Sequence, residues 1–270
     1  DLPEGWDADL PVFDPADGAV ATRSASGKAI NALAPHLPTL VGGSADLAPS
    51  NNTVIKDAPA QQADAPAGRN VHWGVREHAM AAMGSGMALH GGVRPYVATF
   101  FVFVDYMRAA MRLAALMGVP VTYVLTHDSI GVGEDGPTHQ PVEHLAMLRA
   151  TPNFVEVRPA DANETIEAWK IALQHRDGPV GLVLTRQNLP VIDRGVYAPA
   201  SGVARGAYVL ADAPGDGAPE LILIASGSEV ALALETHKRL VAEGVRSRVV
   251  NMASWGLFER QDVAYRESVL

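Results

Sequence analysis

The chain has 270 residues, 48% of them hydrophobic, with a formal net charge of −9 at pH 7. This acidic balance argues against a nucleic-acid partner, and no apolar run reaches the roughly 20 residues that a membrane-spanning helix needs. The chain has no cysteine, which excludes disulfides, thiolate metal sites and a cysteine nucleophile, and is compatible with the cytoplasmic location that we expect.

The first 21 residues are rich in proline and aspartate and show little periodicity, which predicts an extended linker or docking arm. They include neither an initiating methionine nor a signal peptide, so we expect the chain to be an internal part of a longer protein. A helix is predicted to begin at Thr22 and to run through Leu33. A short strand at 39–43 follows, and the polar segment 44–68 predicts a long functional loop.

From residue 75 onward, helical and strand patterns alternate along the chain. Predicted helices cover 77–90, 102–117, 142–149 and 163–175, and predicted strands cover 95–99, 119–125, 154–158 and 180–185. Such alternation with short connections predicts a doubly wound α/β fold, in which helices cover both faces of a mainly parallel sheet. We therefore assign residues 22–190 to a first α/β domain.

The remaining residues indicate a second, incomplete α/β domain. Residues 191–219 are irregular and predict an interdomain crossing. A strand at 221–224, a helix at 229–243 and a strand at 248–251 then predict the start of a carboxy-terminal domain at 220–270. So short a segment gives a thin core, and we expect this domain to be truncated.

The densest group of candidate site residues lies in segment 126–141, directly after a predicted buried strand. Ligands of open α/β sheets bind just beyond the carboxyl ends of the strands. His127 and His139 can move protons near neutral pH, and Asp135 can accept a hydrogen bond from a hydroxyl group. Two alternatives stay open: a turn without function, and a metal site that also uses His144.

Three further segments carry candidate residues. Glu77 opens a helix of small residues, where a carboxylate can serve a site or be functionally silent. Phe100, Phe103 and Tyr106 follow helix-face spacing, so they can stack on a planar ligand or simply join an apolar core. The glycine loop at 41–50 ends a strand and can hold phosphate, although it lacks the lysine of a P-loop.

Taken in order, these segments closely resemble the transketolase family from Arg23 onward. The matching strings are GGSADLAPSN at 42–51, GVREHAM at 74–80, FFVFVDY at 100–106, THDSIGVGEDGPTHQPVEHLA at 126–146, RPADANE at 158–164 and TRQNLP at 185–190. The resemblance implies a pyrimidine-binding domain of the thiamine-diphosphate fold plus part of a carboxy-terminal domain. It also implies the pentose-phosphate-pathway reaction, reversible transfer of a two-carbon ketol unit from a ketose phosphate to an aldose phosphate.

The resemblance implies how the cofactor, thiamine diphosphate, would be bound. Glu77 would bond N1′ of the aminopyrimidine ring and promote removal of the cofactor's reactive proton. Phe100, Phe103 and Tyr106 would line the pyrimidine pocket. Asp46 would lie near the cofactor at a contact between subunits.

The resemblance also implies how the sugar phosphate would be bound. His139 and Asp135 would contact hydroxyl groups of the ketose, and His127 and His139 would join Glu77 as catalytic residues. Arginine suits bidentate phosphate binding. The implied phosphate-binding residues are Arg23, Ser50, His127 and Arg186.

The family binds the cofactor's diphosphate and its divalent metal, Mg²⁺ or Ca²⁺, through an amino-terminal domain with a Gly-Asp-Gly motif. The Gly-Asp-Gly string of this chain, at 215–217, falls in the predicted crossing and follows no strand in the required context. We therefore expect no metal ligand here, an active site completed by an amino-terminal domain or subunit, a homodimer, and no activity of this chain alone. The alternatives are a subunit of a split transketolase-like enzyme and a catalytically silent binding or regulatory module.

Overall fold

The structure is a computed structural model that describes residues 2–270, and these residues form two α/β units. The strands of the first unit are β1 (Val20–Ala21), β2 (Leu40–Ser44), β3 (Arg94–Phe100), β4 (Thr122–Thr126), β5 (Val155–Val157), β6 (Val180–Leu184) and β7 (Asn188–Leu189). Its helices are α1 (Thr22–Leu33), α2 (Ala48–Asn51), α3 (Glu77–His90), α4 (Val104–Leu116), α5 (His144–Arg149) and α6 (Ala162–Gln174).

One parallel sheet organises the first unit. Its strand order is β2-β3-β4-β6-β5, and every neighbouring pair is parallel. Helices α1 and α6 pack together over one apolar cluster, and α3 and α4 pack together over the other. The strands are almost entirely buried, as in parallel sheets that helices cover on both faces. This arrangement confirms the predicted doubly wound α/β fold.

Helix ends in this unit follow local sequence signals. Helix α3 ends before Gly91, whose φ of 81° is a conformation that favours glycine. The side chain of Asp161 caps α6 by accepting a hydrogen bond from Glu164 N. Helix α4 begins at Val104 rather than at the predicted 102, because residues 101–103 form a 3₁₀ turn. No helix among residues 2–270 combines the length and the apolar character needed to cross a membrane.

The amino-terminal segment is docked on the first unit rather than extended away from it. Trp6 and Phe13 are buried in the core that α1 and α6 share. The backbone N–H of Phe13 donates to Asn163 Oδ1 at 2.9 Å, and Asn163 Nδ2 donates to the carbonyl of Phe13 at 2.9 Å. Strand β1 pairs antiparallel with β7. The segment therefore packs on the first unit, and its role as a linker or docking arm stays a prediction.

The second unit contains β8 (Ala207–Ala211), β9 (Leu221–Ala225), α7 (Glu229–Ala242), β10 (Ser247–Met252), α8 (Trp255–Glu259) and α9 (Val263–Val269). Its sheet has the order β8-β10-β9, in which β8 is antiparallel to β10 and β9 is parallel to it. The prediction of an irregular crossing at 191–219 was therefore wrong for 207–211. Strand β8 gains its hydrogen bonds from a partner some forty residues later in the chain, which local patterning does not reveal.

Helices α8 and α9 were also absent from the prediction. Each is too short, at 5 and 7 residues, for a helical period to be visible in the sequence. Both do carry a capping residue: the side chain of Ser254 accepts from Leu257 N, and that of Asp262 accepts from Tyr265 N. These two capping residues were the sequence signals from which α8 and α9 could have been predicted.

A buried polar network joins the two units. The carboxylate of Glu164, in the first turn of α6, accepts hydrogen bonds from Tyr208 Oη at 2.5 Å and from Asn251 Nδ2 at 2.7 Å. Arg194 Nη2 lies 3.1 Å from the same carboxylate. Since Tyr208 is on β8 and Asn251 is on β10, Glu164 connects the first unit to two strands of the second. A buried carboxylate needs such partners to remain stable.

Replacement of Trp169 by alanine should lower the free energy of unfolding by about 3–5 kcal/mol, because it leaves a large cavity. Trp169 is fully buried, packs edge-on against Tyr96 at 6.2 Å and donates from Nε1 to Ser26 Oγ at 2.9 Å. Trp255→Ala is the matched control, since that side chain is 39% exposed. Urea denaturation of both variants measures the difference, and equal losses would contradict the prediction.

Candidate active site

The candidate site lies at the carboxyl edge of the parallel sheet. Strands β2, β3, β4 and β6 are mutually parallel and run in register, so their carboxyl ends lie along one edge. One predicted site residue follows closely after each of these ends: Asp46, Phe103, His127 and Arg186. This is the position at which open α/β sheets bind ligands, as the sequence predicted.

A surface cleft opens beside the amino terminus of α3. Its volume is about 640 Å³, and its lining consists of Val75, Arg76, Glu77, His78, Ala79, Phe103 and Tyr106. Glu77 is the first residue of α3 and is only 7% exposed. A carboxylate at this end of a helix is stabilised by the N-terminal partial positive charge. The cleft thus combines a buried carboxylate with aromatic walls.

Three aromatic rings continue from the cleft into the core. The rings of Phe100 and Phe103 are 5.8 Å apart and inclined by 11°, and those of Phe103 and Tyr106 are 6.0 Å apart. Phe100 is buried, whereas Tyr106 is 65% exposed. Phe100 is therefore a buried core residue, whereas stacking of Phe103 and Tyr106 on a planar ligand stays a prediction.

Both histidines of segment 126–141 pack on this aromatic group. The His127 ring stacks on Phe100 with a centroid distance of 3.7 Å, and the His139 ring meets Phe103 edge-on at 5.3 Å. Residues from two distant sequence motifs therefore form one continuous group of packed rings beyond β3 and β4. The aromatic group connects the Glu77 cleft to the histidines.

His127 is held in an unusual conformation. Its φ is 63°, in the left-handed region that few residues other than glycine adopt. Its Nδ1 lies 2.8 Å from Thr126 Oγ1, and Thr126 Oγ1 lies 3.3 Å from Oδ1 of the buried Asn51. Burial, together with the positive charges of Arg23 and Arg186, lowers the pKa of His127 to about 3. The imidazole is therefore neutral at physiological pH.

The depressed pKa of His127 predicts a pH dependence of stability. Between its ordinary pKa of 6.5 and the folded value of about 3, the unfolded chain binds a proton that the folded protein does not. The stability that neutral His127 contributes is thus complete above pH 6.5 and is lost as the pH falls toward 3. His127→Gln should flatten this acid slope. Urea denaturation at several pH values measures it, and an unchanged slope would contradict the prediction.

A group of arginines and carboxylates borders His127. Arg23 Nη1 donates to the carbonyl of Ser50 at 2.8 Å, and burial, reinforced by the charge of Arg186, lowers the pKa of Arg23. Arg186 forms an ion pair with Glu134, and its Nε lies 3.8 Å from Asp135 Oδ2. The same Asp135 oxygen lies 3.9 Å from His127 Nε2. The structure thus brings together all the predicted substrate-binding residues: Arg23, Ser50, His127, Asp135, His139 and Arg186.

Asp46 occupies a separate place at the same edge of the sheet. It follows β2, is exposed and has a φ of 62°. An aspartate tolerates this conformation better than most residues do. No interaction of its side chain with the aromatic group is present among residues 2–270. Its predicted contact with the cofactor at a subunit boundary stays a prediction.

Two residues of the site were missed by sequence reasoning about individual side chains. Asn51 and Thr126 are buried behind His127 and orient its ring. Both lie inside strings that resemble the family, at 42–51 and 126–146, so the strings were the available signal. Their roles depend on contacts between β4 and α2, which no local pattern predicts.

His144 does not join the other histidines. Within residues 2–270, the group of three or more potential metal ligands whose donor atoms lie within 4.8 Å of one another consists of Asp105, Glu143 and His144. Asp105 Oδ2 is 3.4 Å from His144 Nε2, whereas Glu143 Oε2 is 3.9 Å from Nδ1. The two carboxylates therefore lie beside different ring nitrogens of His144.

Fold and site together define a doubly wound α/β unit that carries a buried carboxylate, an aromatic wall and a group of arginines at the carboxyl edge of its sheet. The chain matches the family description "Transketolase, pyrimidine binding domain" over residues 18–191 and "Transketolase-like TK C-terminal domain" over residues 206–270. It belongs to the transketolase family.

Similar proteins support this assignment. A transketolase of Geobacillus stearothermophilus is 56% identical over 269 residues, which cover 100% of this chain and 40% of that protein. The structure of a Pichia stipitis transketolase in complex with sedoheptulose 7-phosphate matches with a TM-score of 0.93 and 45% identity, over 100% of this chain and 40% of that one. A split-gene transketolase, described as an inactive β4 tetramer, matches with a TM-score of 0.70 and 32% identity, over 88% of this chain and 72% of that one. The chain spans 40% of the length of the curated transketolases that it matches from Geobacillus stearothermophilus and Bacillus subtilis.

Proposed function

We propose that this chain supplies the aminopyrimidine-binding half of a transketolase active site, which transfers a two-carbon ketol unit between sugar phosphates. The observation that carries this proposal is the position of Glu77. Its buried carboxylate lines a cleft with Phe103 and Tyr106, and the same aromatic group packs against His127 and His139. One continuous surface thus offers a cofactor site beside a substrate site.

The residues of the cleft fit the aminopyrimidine ring of thiamine diphosphate. A flat heteroaromatic ring needs apolar faces, which Phe103 and Tyr106 offer, and Glu77 can bind a protonated ring nitrogen. When bound, the cofactor supplies the electron sink for carbon–carbon bond cleavage. Glu77 holds the proton at the ring nitrogen, and the aromatic walls orient the ring and exclude water. An amino-terminal domain or subunit would bind the diphosphate and its divalent metal, Mg²⁺ or Ca²⁺.

The group around His127 fits a sugar phosphate. Arg23 and Arg186 provide positive charge, and neutral His127 adds a hydrogen-bonding nitrogen between them. Asp135 lies beside His127 and Arg186, and His139 packs on Phe103, so these two residues can bind sugar hydroxyl groups and move a proton. The sedoheptulose 7-phosphate bound to the Pichia stipitis enzyme supports this substrate class.

A second subunit is part of the proposal. Helices α3 and α4, whose first turns line the Glu77 cleft, expose apolar side chains along their length, and such exposed apolar surface is typical of a protein contact. These side chains are Met83, Leu89, Tyr106, Leu113 and Leu116. We assign this surface to a homodimer contact that places Asp46 near a cofactor shared between subunits. The dimer would act in the pentose phosphate pathway of the cytoplasm.

Enzyme assay of the full-length protein tests the proposal. With a ketose phosphate donor, an aldose phosphate acceptor, thiamine diphosphate and Mg²⁺, we expect ketol transfer. The 270-residue chain alone should be inactive, because its site lacks the diphosphate-binding half. Absence of transfer by the full-length protein would refute the function, and robust transfer by the chain alone would refute the incomplete site.

A separate subunit of a split enzyme is a second candidate form of the same function. The observation that favours it is the split-gene transketolase, 72% of which this chain covers. Native mass spectrometry distinguishes the two forms. A split enzyme should co-purify with a separate diphosphate-binding polypeptide, whereas a single chain should carry both parts in one mass.

A further inference from the structure

A buried ion pair directly behind the site has no part in the proposed chemistry. Asp128 follows His127 in the chain, and its side chain is fully buried. Arg158 Nε donates to Asp128 Oδ2 at 2.8 Å, and Arg158 Nη2 lies 2.7 Å from the same oxygen. The Arg158 side chain is itself only 5% exposed. Two charges so deeply buried are costly unless they are well paired.

The rest of the Arg158 guanidinium group binds the second unit. Nη1 donates to the carbonyl of Ser226 at 3.1 Å and forms an ion pair with Glu229, the first residue of α7. Nη2 donates to Ser228 Oγ at 3.2 Å and to Glu229 Oε1 at 3.2 Å. One arginine of the first unit thus connects the segment that begins α7 to the residue beside His127.

The backbone around Arg158 is equally tied to the second unit. Its N–H donates to the carbonyl of Ala253 at 2.8 Å, and its carbonyl accepts from Gly227 N at 3.2 Å. A Cβ atom on Gly227 would lie 2.6 Å from Arg158 Nε, so the chain passes directly over the guanidinium group. Arg158 therefore cannot move far unless the segment between β9 and α7 moves with it.

His127 depends on its surroundings to keep its conformation. A left-handed backbone at a residue other than glycine is strained, and it persists only where neighbouring contacts enforce it. The His127 ring is held by Phe100 and Thr126, while the chain on its carboxyl side is held by Asp128. The anchor of Asp128 is Arg158, and the partners of Arg158 belong to the carboxy-terminal unit.

We propose that Asp128, Arg158 and Glu229 are positioning residues, through which the carboxy-terminal unit holds His127 in its substrate-binding conformation. This inference rests on the proposed function, because it gives His127 the phosphate of the donor as its ligand. The carboxy-terminal unit, remote from the cleft, thereby determines affinity for phosphorylated donors. A purely structural ion pair would make no distinction between donors.

Glu229→Gln in the full-length protein tests this directly. The variant keeps the shape of the side chain, removes its charge and alters a half-exposed residue, so folding should be preserved. We expect KM for a phosphorylated ketose donor to rise about three- to tenfold, with kcat nearly unchanged and no effect on an unphosphorylated ketose. Arg158→Lys, which keeps the charge but loses the planar fork, should show the same pattern more strongly.

A double-mutant cycle with His127→Ala separates positioning from stability. In that background, Glu229→Gln should produce no further rise in KM, because the residue that it positions is gone. The matched control is Glu235→Gln, an exposed carboxylate on the same helix that pairs with Lys238 at 2.7 Å. It should behave as the wild type in both backgrounds.

Two kinetic results would overturn the inference. One is an equal effect of Glu229→Gln on phosphorylated and unphosphorylated donors, and the other is an effect that persists in the His127→Ala background. The crystal structure of the Arg158→Lys variant gives a readout independent of activity. A His127 ring still stacked on Phe100 with a left-handed φ would also refute positioning. Inactivity of the wild type would instead refute the proposed function, and the position of His127 in the variant would still decide this inference.

Discussion

Replacing Glu77 with glutamine in the full-length protein is expected to lower kcat for ketol transfer by about 10²–10⁴-fold, the range typical of lost proton transfer. Glutamine keeps the size of the side chain but cannot hold or release the proton at the pyrimidine nitrogen. Because Glu77 lines the cleft and is buried, a carboxylate from solution cannot take over its role in proton transfer. Steady-state assays at saturating cofactor measure the loss.

Glu143→Gln is the control for this experiment. Glu143 is an exposed carboxylate just before α5 and does not line the cleft, so its variant should keep wild-type kcat. Thermal unfolding of both variants shows whether the fold is intact. Full turnover by the Glu77→Gln variant would mean that Glu77 is not catalytic, as expected if this part of the chain were a catalytically silent binding or regulatory module.

Replacing Arg186 with glutamine should raise KM for a phosphorylated donor by about 10- to 100-fold, because a charge-assisted hydrogen bond contributes about 1.5–3 kcal/mol. Arg186 lies beside Asp135 and pairs with Glu134, so its guanidinium group reaches the edge of the substrate site. The effect on kcat should be smaller, since the phosphate is remote from the bond that breaks. Initial rates over a range of donor concentrations measure both constants.

The control for Arg186 is Arg239→Gln, which removes the same charge from an exposed position on α7. Long-range electrostatics alone would change both variants alike, and would weaken at high salt. If the Arg186→Gln variant kept both the KM and the kcat of the wild type, this arginine would not be a phosphate-binding residue. The remaining candidates would then be Arg23 and His127.

Much of the fold could be predicted from local pattern. Helical spacing of apolar residues predicted α1 and α6, and continuous apolar runs predicted the parallel strands, because helices cover both faces of such a sheet. Strand β8 could not be predicted in this way, since its stability comes from pairing with β10. Helices α8 and α9 were too short to show a period.

The candidate site, like the fold, could be predicted from the sequence only in part. The residue types and strings at 74–80, 100–106 and 126–146 were sufficient to predict Glu77, the aromatic group and both histidines as neighbours in function. They did not predict that His127 stacks on Phe100 at 3.7 Å with a left-handed backbone. Those features need β3 and β4 to be adjacent, with α2 behind them.

The amino-acid sequence by itself determined the α/β class, most of the helices and strands, and the chemical groups that the site contains. Tertiary structure alone decided that Arg158 joins Asp128 to Glu229 and that Glu164 joins α6 to β8 and β10. The physical reason is the separation in sequence over which each kind of interaction acts. Backbone propensity and apolar periodicity act between residues a few positions apart, whereas these buried charges find partners 30 to 87 positions away, through the packing of whole elements.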